Sequence, residues 1–461
     1  ELHDNKISTI DAQVFYKIPE LCHLDLRGNK LKVITTLGYT PVFADLPELK
    51  ALVLTGQDPK TEAVMYNAFR RLPKLEHLWL DKNDLQHFPN PAFSQEEWPS
   101  IKELHIESNK LTTFSSYSKT DFPPDMHVLW ASKKDANKPF AQMKSLQKLM
   151  VHDNKIDKVE EEDLWELNNL KELYLSSNLL TENTIHPEAF RNTSVTKLLL
   201  RRNSIVAVET GAFPTSILKI DLDNNQFDFR HSDVFANLPS LTYLSLISNE
   251  IKFLPGDAFN GLINLKTFDF SSNHLTLLPA QGDFDGLSIR SFGFSNGAQT
   301  NPLKNIASRA FNNVRGRYII LSSLELTTIR SETFKNVVLS EDLRLDGNPI
   351  ESIEVHAFDD LEAQYLDLRG NEIKSLSGDS FVGLTVVNDL FLLDNELVIF
   401  PHEALKILNP KSLDLRNNKI LSLPNNSLDT FTNLLTLNLE NNKLTELKKD
   451  IFQKLTKLIN L

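Results

Sequence analysis

Two carboxylates, Asp221 and Asp223, stand two residues apart, a spacing that puts both side chains on one face of a β-strand. A close pair of carboxyl groups is the machinery of many glycoside hydrolases, so acid–base catalysis is the first chemistry to consider. The repeat pattern described below places Arg201 and Lys219 beside this pair, and ion pairing explains it without catalysis. The sequence also lacks the GxSxG, P-loop and HExxH motifs. We therefore expect neither an enzyme nor a cofactor.

Histidine offers a second chemistry. Six of the twelve histidines map to the predicted open face, all in the first third of the chain: His3, His23, His77, His105, His127 and His152. Imidazole titrates near pH 6.5, at about the pH of mildly acidic compartments, so this cluster could make partner binding depend on pH. A metal site is another interpretation, but His77 and His127 are predicted two strands apart, too far for a tetrahedral centre without His105. Ordinary surface histidines are the third interpretation, and we predict no metal site.

Composition excludes several classes of protein. The net charge is −12, and an acidic chain without a basic tract is poorly suited to nucleic acid, so no nucleic acid partner is expected. The single cysteine, Cys22, excludes an internal disulfide and a Cys-rich zinc site. No apolar run approaches the roughly 18 residues of a membrane helix, so membrane association is expected only through parts outside this chain.

A short motif, Leu-x-Leu-x-x-Asn, recurs from end to end of the chain. It reads LDLRGN to Asn29, LWLDKN to Asn83, LYLSSN to Asn178 and LNLENN to Asn442. The mean spacing is about 24 residues, which is typical of a repeat protein. We assign the Asn position nineteen times, at residues 5, 29, 57, 83, 109, 133, 154, 178, 203, 225, 249, 273, 297, 324, 348, 371, 395, 418 and 442. Four of these hold another residue: Gln57, Lys133, Gly297 and Leu324.

Each motif predicts a short strand, because leucines at alternate positions face one side. Stacked repeats would build a parallel sheet, with each Asn satisfying backbone groups at the turn that follows. The strand Val128–Trp130 is assigned in the least regular stretch. A Phe follows most motifs and is expected to stack inside the solenoid, at residues 15, 69, 93, 190, 213, 235, 259, 334, 358, 381 and 452.

The motifs and their Phe positions resemble the leucine-rich repeat family, in its extracellular, Phe-containing 24-residue type. Toll-type receptor ectodomains, Slit-like proteins and small leucine-rich proteoglycans are of this type. The resemblance implies an α/β solenoid, a horseshoe with one continuous parallel concave sheet of about 19 strands. We expect a single solenoid over residues 1–461 that lacks both terminal caps and is an internal piece of a longer protein.

Residues between the strand leucines should face outward, and they form an apolar and aromatic stripe early in the chain. Such stripes often mark binding surfaces, with Trp and Tyr as anchors, although a sheltered surface can hold apolar residues without function. The predicted partner-binding residues are His77, Trp79, His105, His127, Leu129, Met150, His152 and Tyr174. A smaller second patch is predicted at Tyr365, Phe391 and Leu393.

Charged residues and sequons complete the predictions. Arg344 is expected to pair with Asp367 across strands, and Asp346 with Arg369. Two sequons predict glycosylation at Asn192 and Asn425.

Two functions remain open from the sequence. The resemblance implies an extracellular, non-enzymatic ectodomain that binds a protein or other macromolecule on its concave face, in innate recognition, adhesion or guidance. The alternative is a secreted structural or carrier subunit of an extracellular complex, as a homo- or hetero-oligomer.

Overall fold

Short parallel strands joined by turns make up the computed structural model of the chain. It describes residues 1–11, 14–34, 42–64, 68–88, 100–114, 140, 143–165, 167–256, 258–259, 261–278, 284, 286–294, 301–385 and 387–461. These residues form two compact units, unit 1 (Glu1–Gln226) and unit 2 (Phe227–Leu461).

Unit 1 contains twelve strands among its described residues. In chain order these are β1 (His23–Asp25), β2 (Val33–Ile34), β3 (Phe43–Ala44), β4 (Ala51–Val53), β5 (Ala63–Val64), β6 (Phe69–Arg70), β7 (His77–Trp79), β8 (Glu103–His105), β9 (Lys148–Met150), β10 (Glu172–Tyr174), β11 (Lys197–Leu199) and β12 (Lys219–Asp221). The sheet runs β1-β4-β7-β8-β9-β10-β11-β12, all parallel. The pairs β2–β5 and β3–β6 lie outside it.

Unit 2 follows the same plan. Its strands are β13 (Tyr243–Ser245), β14 (Thr267–Asp269), β15 (Leu277–Leu278), β16 (Ser288–Gly293), β17 (Asn305–Ile306), β18 (Arg315–Ile320), β19 (Thr328–Ile329), β20 (Val338–Leu339), β21 (Asp342–Arg344), β22 (Ser352–Ile353), β23 (Leu361–Glu362), β24 (Tyr365–Asp367), β25 (Leu384–Thr385), β26 (Asp389–Phe391), β27 (Ser412–Asp414) and β28 (Thr436–Asn438). The main parallel run is β13-β14-β16-β18-β21-β24-β26-β27-β28. One short helix, α1 (His402–Leu405), is the α-helix of the described residues. The predicted parallel solenoid of short strands is confirmed.

The recurring Asn forms a hydrogen-bonded ladder between repeats. Asn83 donates to the carbonyl oxygens of Leu80, in its own repeat, and of Leu54, in the preceding one, both at 3.0 Å. Its Oδ1 accepts from the backbone N–H of Gln57 at 3.1 Å. Gln57 makes equivalent bonds with its longer side chain, to Leu26 and Leu54. Buried backbone groups need such partners, so the ladder explains why an amide recurs at this position.

Phenylalanines stack behind the sheet, as predicted. In unit 2 the rings of Phe311 and Phe334 lie 5.4 Å apart, and the stack continues to Phe358 and Phe381 at 5.9 and 6.0 Å. Unit 1 has a shorter stack of Phe15, Phe43 and Phe69. Offset stacking of this kind adds about 0.5–1.5 kcal/mol per pair beyond burial, so the rings help to hold neighbouring repeats in register.

Two assignments of the repeat need correction. Asn301, and not Gly297, occupies the ladder, accepting from Leu275 N–H at 3.1 Å and donating to Phe270. Strand β8 pairs directly with β9, and Asn154 bonds the backbone of Leu111, so no strand intervenes between β8 and β9. The predicted strand Val128–Trp130 and Lys133 lie outside the described residues. One solenoid over residues 1–461 stays a prediction.

Candidate functional site

The strands of unit 1 bury one face and expose the other. In six of the eight strands of its main sheet a buried leucine is flanked by two half-buried residues, as in β7 and β10. These flanking residues form the open face of the sheet. One row across it is held in register by backbone pairing and reads Val53, Trp79, His105, Met150, Tyr174 and Leu199. Most of the predicted partner-binding residues therefore share one surface.

An aromatic stack forms the centre of this surface. The Trp79 ring lies 5.7 Å from the His77 ring and 5.1 Å from the His105 ring, with interplanar angles of 24° and 25°. His105 occupies the position next to Met150 in the neighbouring strand. The indole is therefore held between two imidazoles in one orientation.

Carboxylates alternate with the imidazoles beside the stack. A Glu103 oxygen lies 3.4 Å from His77 Nδ1 and 3.5 Å from His105 Nε2. A Glu107 oxygen lies 3.6 Å from His105 Nδ1. His77 Nδ1, His105 Nε2, His152 Nδ1 and Glu107 Oε2 are buried yet make no hydrogen bond among the described residues. Unsatisfied buried polar atoms are uncommon in folded proteins, so His77 and His105 depend on these longer contacts with Glu103 and Glu107.

Burial and neighbouring groups set the charge on Asp81 and Glu107, which follow Trp79 and His105 by two residues in sequence. Burial raises the pKa of Asp81, against the hydrogen bond that Thr55 donates to it at 2.6 Å. Burial also acts to raise the pKa of Glu107, but the His105 ring and backbone donors outweigh it and leave that pKa below its usual value. The Glu107 carboxylate is therefore ionised at neutral pH.

Tyr174 is fixed at the other end of the surface by two charged residues. Its hydroxyl donates to Glu172 at 2.5 Å and accepts from Lys197 Nζ at 2.6 Å. The Lys197 ammonium also lies 4.7 Å from the Tyr174 ring centre, close enough for a cation–π interaction. Burial and Glu172 raise the pKa of the Tyr174 hydroxyl, while the Tyr174 and Lys197 contacts lower that of Glu172. The ring is thus neutral and held in one orientation.

Of the remaining predicted residues, one joins the same surface and two lie outside the described ranges. His152 lies near Tyr174, with ring centres 6.4 Å apart. His127 and Leu129 lie outside the described residues. In the described part of the chain, no group of three or more His, Cys, Asp or Glu side chains is arranged to hold a metal ion.

The second patch lies on the open face of unit 2. Tyr365 is exposed, Phe391 and Leu393 are half-buried, and neighbouring strands place Tyr365 in register with Asp389 and Phe391 with Asp367. Arg344 lies opposite Asp367 on the neighbouring strand, as predicted, but the close ion pairs form within strands. Arg344 bonds Asp342 and Arg369 bonds Asp367, each within its own strand.

The paired carboxylates Asp221 and Asp223 are both nearly buried. Arg201 Nε lies 3.7 Å from Asp221 and 3.6 Å from Asp223, which confirms the expected partner from the neighbouring strand. Burial and the Asp223 charge raise the pKa of Asp221 to about 6. The shared guanidinium accounts for the pair as an ion-pair cluster.

The two predicted glycosylation sites are exposed. Asn192 and Asn425 both lie in turns away from the sheet strands. A glycan at either position would extend into solvent, and glycosylation there stays a prediction.

Comparison with known proteins agrees with this geometry. The family description "Leucine rich repeat" matches residues 134–180, 193–251 and 341–397. A second description, "Leucine Rich Repeat", matches residues 169–193 and 433–455. The matched segments of the chain are leucine-rich repeats. The predicted resemblance is therefore confirmed.

Its similar proteins include small leucine-rich proteoglycans. Mouse podocan is 26% identical over 251 residues, which cover 49% of this chain and 39% of podocan. Mouse lumican is 28% identical over 177 residues, or 38% of this chain and 51% of lumican. The chain thus spans between about two fifths and about half the length of these relatives.

A solved structure of the Drosophila Toll–Spatzle complex in its glycosylated form has a similar fold. Its TM-score is 0.59 at 19% identity, and the match covers 98% of this chain and 57% of that one. At this identity the likeness shows the fold alone. No helix in the described ranges is long and apolar enough to cross a bilayer.

Sequence reasoning missed the charged residues that position the anchors. Glu103, Glu107, Glu172 and Lys197 were not singled out, yet they contact His77, His105 and Tyr174. Their signal was present, because each lies two residues from an anchor or beside it on the next strand. Charged residues at these positions of the open face are therefore the ones expected to contact the aromatic residues.

Proposed function

We propose that this chain is a non-enzymatic, extracellular leucine-rich repeat ectodomain whose unit 1 binds a protein partner on the open face of its sheet. That face is the concave side in the predicted solenoid. The observation that carries the proposal is the row of oriented aromatic residues, Trp79 between two imidazoles and Tyr174 between Glu172 and Lys197. Aromatic anchors that are fixed before binding are typical of interaction hot spots.

The relatives support an extracellular binding role. Podocan and lumican are small leucine-rich proteoglycans, and the Toll structure is of a complex with Spatzle. The proposed partner is a protein or another macromolecule that reaches across several strands, because the anchors are spread from β7 to β10. A cavity for a small molecule is not needed for this mode of recognition.

The proposal can be tested by capture from a mixture of secreted proteins. Immobilised wild-type chain, Trp79→Ala and Tyr174→Ala are compared, with Tyr16→Ala as the control because Tyr16 is 58% exposed but lies off the sheet. We expect at least one protein to be retained by the wild type and by Tyr16→Ala. Its retention should fall about tenfold or more with Trp79→Ala, since hot-spot truncations cost about 2 kcal/mol or more.

Two results would refute the proposal. Either no captured protein depends on Trp79 or Tyr174 while circular dichroism shows both variants folded, or Tyr16→Ala reduces capture as much as they do. A secreted carrier subunit is the alternative, and it predicts a partner that copurifies in fixed stoichiometry from the producing cells.

A further inference from the structure

The second patch has a different chemistry from the surface of unit 1. Its apolar centre is Tyr365, Phe391 and Leu393, and a depression of about 330 Å³ beside it is lined by Asp342, Arg344, Tyr365, Asp367, Arg369 and Phe391. Tyr365 is 37% exposed. The depression therefore offers apolar surface that the fold itself leaves uncovered.

The guanidinium groups at this surface are already neutralised. Arg369 donates through Nε and Nη2 to Asp367 at 2.8 and 2.5 Å, and Arg344 does the same to Asp342. Arg416 is held by Asp414 in the same way, at 2.8 Å through Nη2. Two-point pairing of this kind fixes a guanidinium and balances its charge. The three arginines therefore add little attraction for an anionic partner.

Three carboxylates around the apolar centre have no basic partner within ion-pair distance among the described residues: Asp346, Asp389 and Asp394. Asp346 accepts a hydrogen bond from Ser322 and Asp394 from Asn417, both neutral groups. Asp389 is half-buried and lies in register with Tyr365 on the next strand. Negative charge thus remains on two sides of the apolar centre.

From this arrangement we infer that the second patch docks a basic segment of a partner protein, with an apolar residue flanked by Lys or Arg. The apolar residue lies against Tyr365, Phe391 and Leu393, and the basic side chains reach Asp346, Asp389 and Asp394. Complementary charge around an apolar centre sets orientation and specificity. The flat faces of the paired guanidiniums provide further stacking area, as Arg369 already shows by lying 5.8 Å from the Phe391 ring centre. This inference does not depend on the surface proposed in unit 1.

The test uses the full chain and a displayed library of random twelve-residue peptides as the probe. Peptides selected on the wild type are rescreened on Phe391→Ala and, as a matched control, on Ile399→Ala, because Ile399 is 67% exposed in the same unit but off the sheet. We expect peptides that need Phe391 to carry net positive charge, with an apolar residue between basic ones. Their affinity should fall about tenfold or more on Phe391→Ala and fall steeply with added salt.

A second pair of variants keeps the inference testable if Phe391→Ala disturbs folding. Asp389→Asn with Asp346→Asn removes two surface charges and should weaken the same peptides, while Asp389→Lys should shift selection toward acidic peptides. The inference is overturned if Phe391-dependent peptides are neutral or acidic on the wild type. It is equally overturned if no selected peptide depends on Phe391, Asp346 or Asp389.

Discussion

Replacing Asn371 by Ala should destabilise unit 2 severely, although the residue contacts no proposed ligand. Its Nδ2 donates to the carbonyl oxygens of Leu345, Leu368 and Arg369, at 3.1, 2.8 and 3.3 Å. Its Oδ1 accepts from the buried N–H of Ile350 at 3.2 Å. The substitution removes all four hydrogen bonds at once.

The cost is not equal for the four groups. Leu345 and Leu368 carbonyls keep bonds from Asn348 and Asn395, and the Arg369 carbonyl keeps one from Gly347. Only the Ile350 N–H is left without a partner among the described residues. A buried orphan N–H costs about 1–3 kcal/mol and each other lost bond about 0.5–1 kcal/mol, which gives about 4 kcal/mol in total.

Denaturant unfolding at neutral pH, followed by circular dichroism and by hydrogen exchange around Ile350, measures this loss. Tryptophan fluorescence serves as an internal control, because all four tryptophans precede residue 166 and report on unit 1. Asn433→Ala is the control variant, since Asn433 is exposed, and it should change stability by less than about 0.5 kcal/mol. If Asn371→Ala lowers the free energy of unfolding by less than about 1 kcal/mol, the reasoning is refuted, because the four hydrogen bonds of Asn371 then contribute little to stability.

Three further predictions follow from the site and the surface. The pKa of Asp221 is raised to about 6 mainly by burial, so its ionised form destabilises the fold and stability is lost as pH rises from about 4 through 6. The variant Asp221→Asn should therefore be up to about 3 kcal/mol more stable than the wild type at pH 7.5 and equally stable near pH 4. Denaturation curves at both pH values would show this difference. Secretion from animal cells should add one glycan at each sequon, so Asn192→Gln and Asn425→Gln should each carry one glycan fewer than the wild type. An unchanged number of glycans in either variant would contradict the prediction for that sequon. The histidine interpretation of the sequence predicts that partner capture by unit 1 differs between about pH 5.5 and 7.5; equal capture at both values would remove it.

The fold was accessible from the sequence because the signal repeats. Leucines of period two set which side of each strand is buried, and this also placed Trp79, His105 and Tyr174 on one face. The direct pairing of β8 with β9 was not accessible, because an extra segment between two repeats leaves no periodic trace of its own. Similarly, Asn301 was missed because the inserted residues shift the ladder position by four.

The ion pairs show a different limit. Arg369 can reach Asp367 within its strand or Asp346 on the neighbouring strand, since both lie within the length of an arginine side chain. Sequence spacing alone does not decide which of these two carboxylates Arg369 pairs with. The structure selects the carboxylate in the same strand, where two donors meet one oxygen and the backbone N–H of Arg369 also binds Asp367 at 3.1 Å.

Because β8 pairs directly with β9, the residues between them in sequence add no strand to the sheet at this point. Phe114 and Phe140 are both buried, and their ring centres are 6.0 Å apart, although 25 residues lie between them in sequence. The described core is therefore continuous across this point of the chain. The number of residues between Phe114 and Phe140 can differ while the leucines, asparagines and phenylalanines of the two neighbouring repeats keep their places.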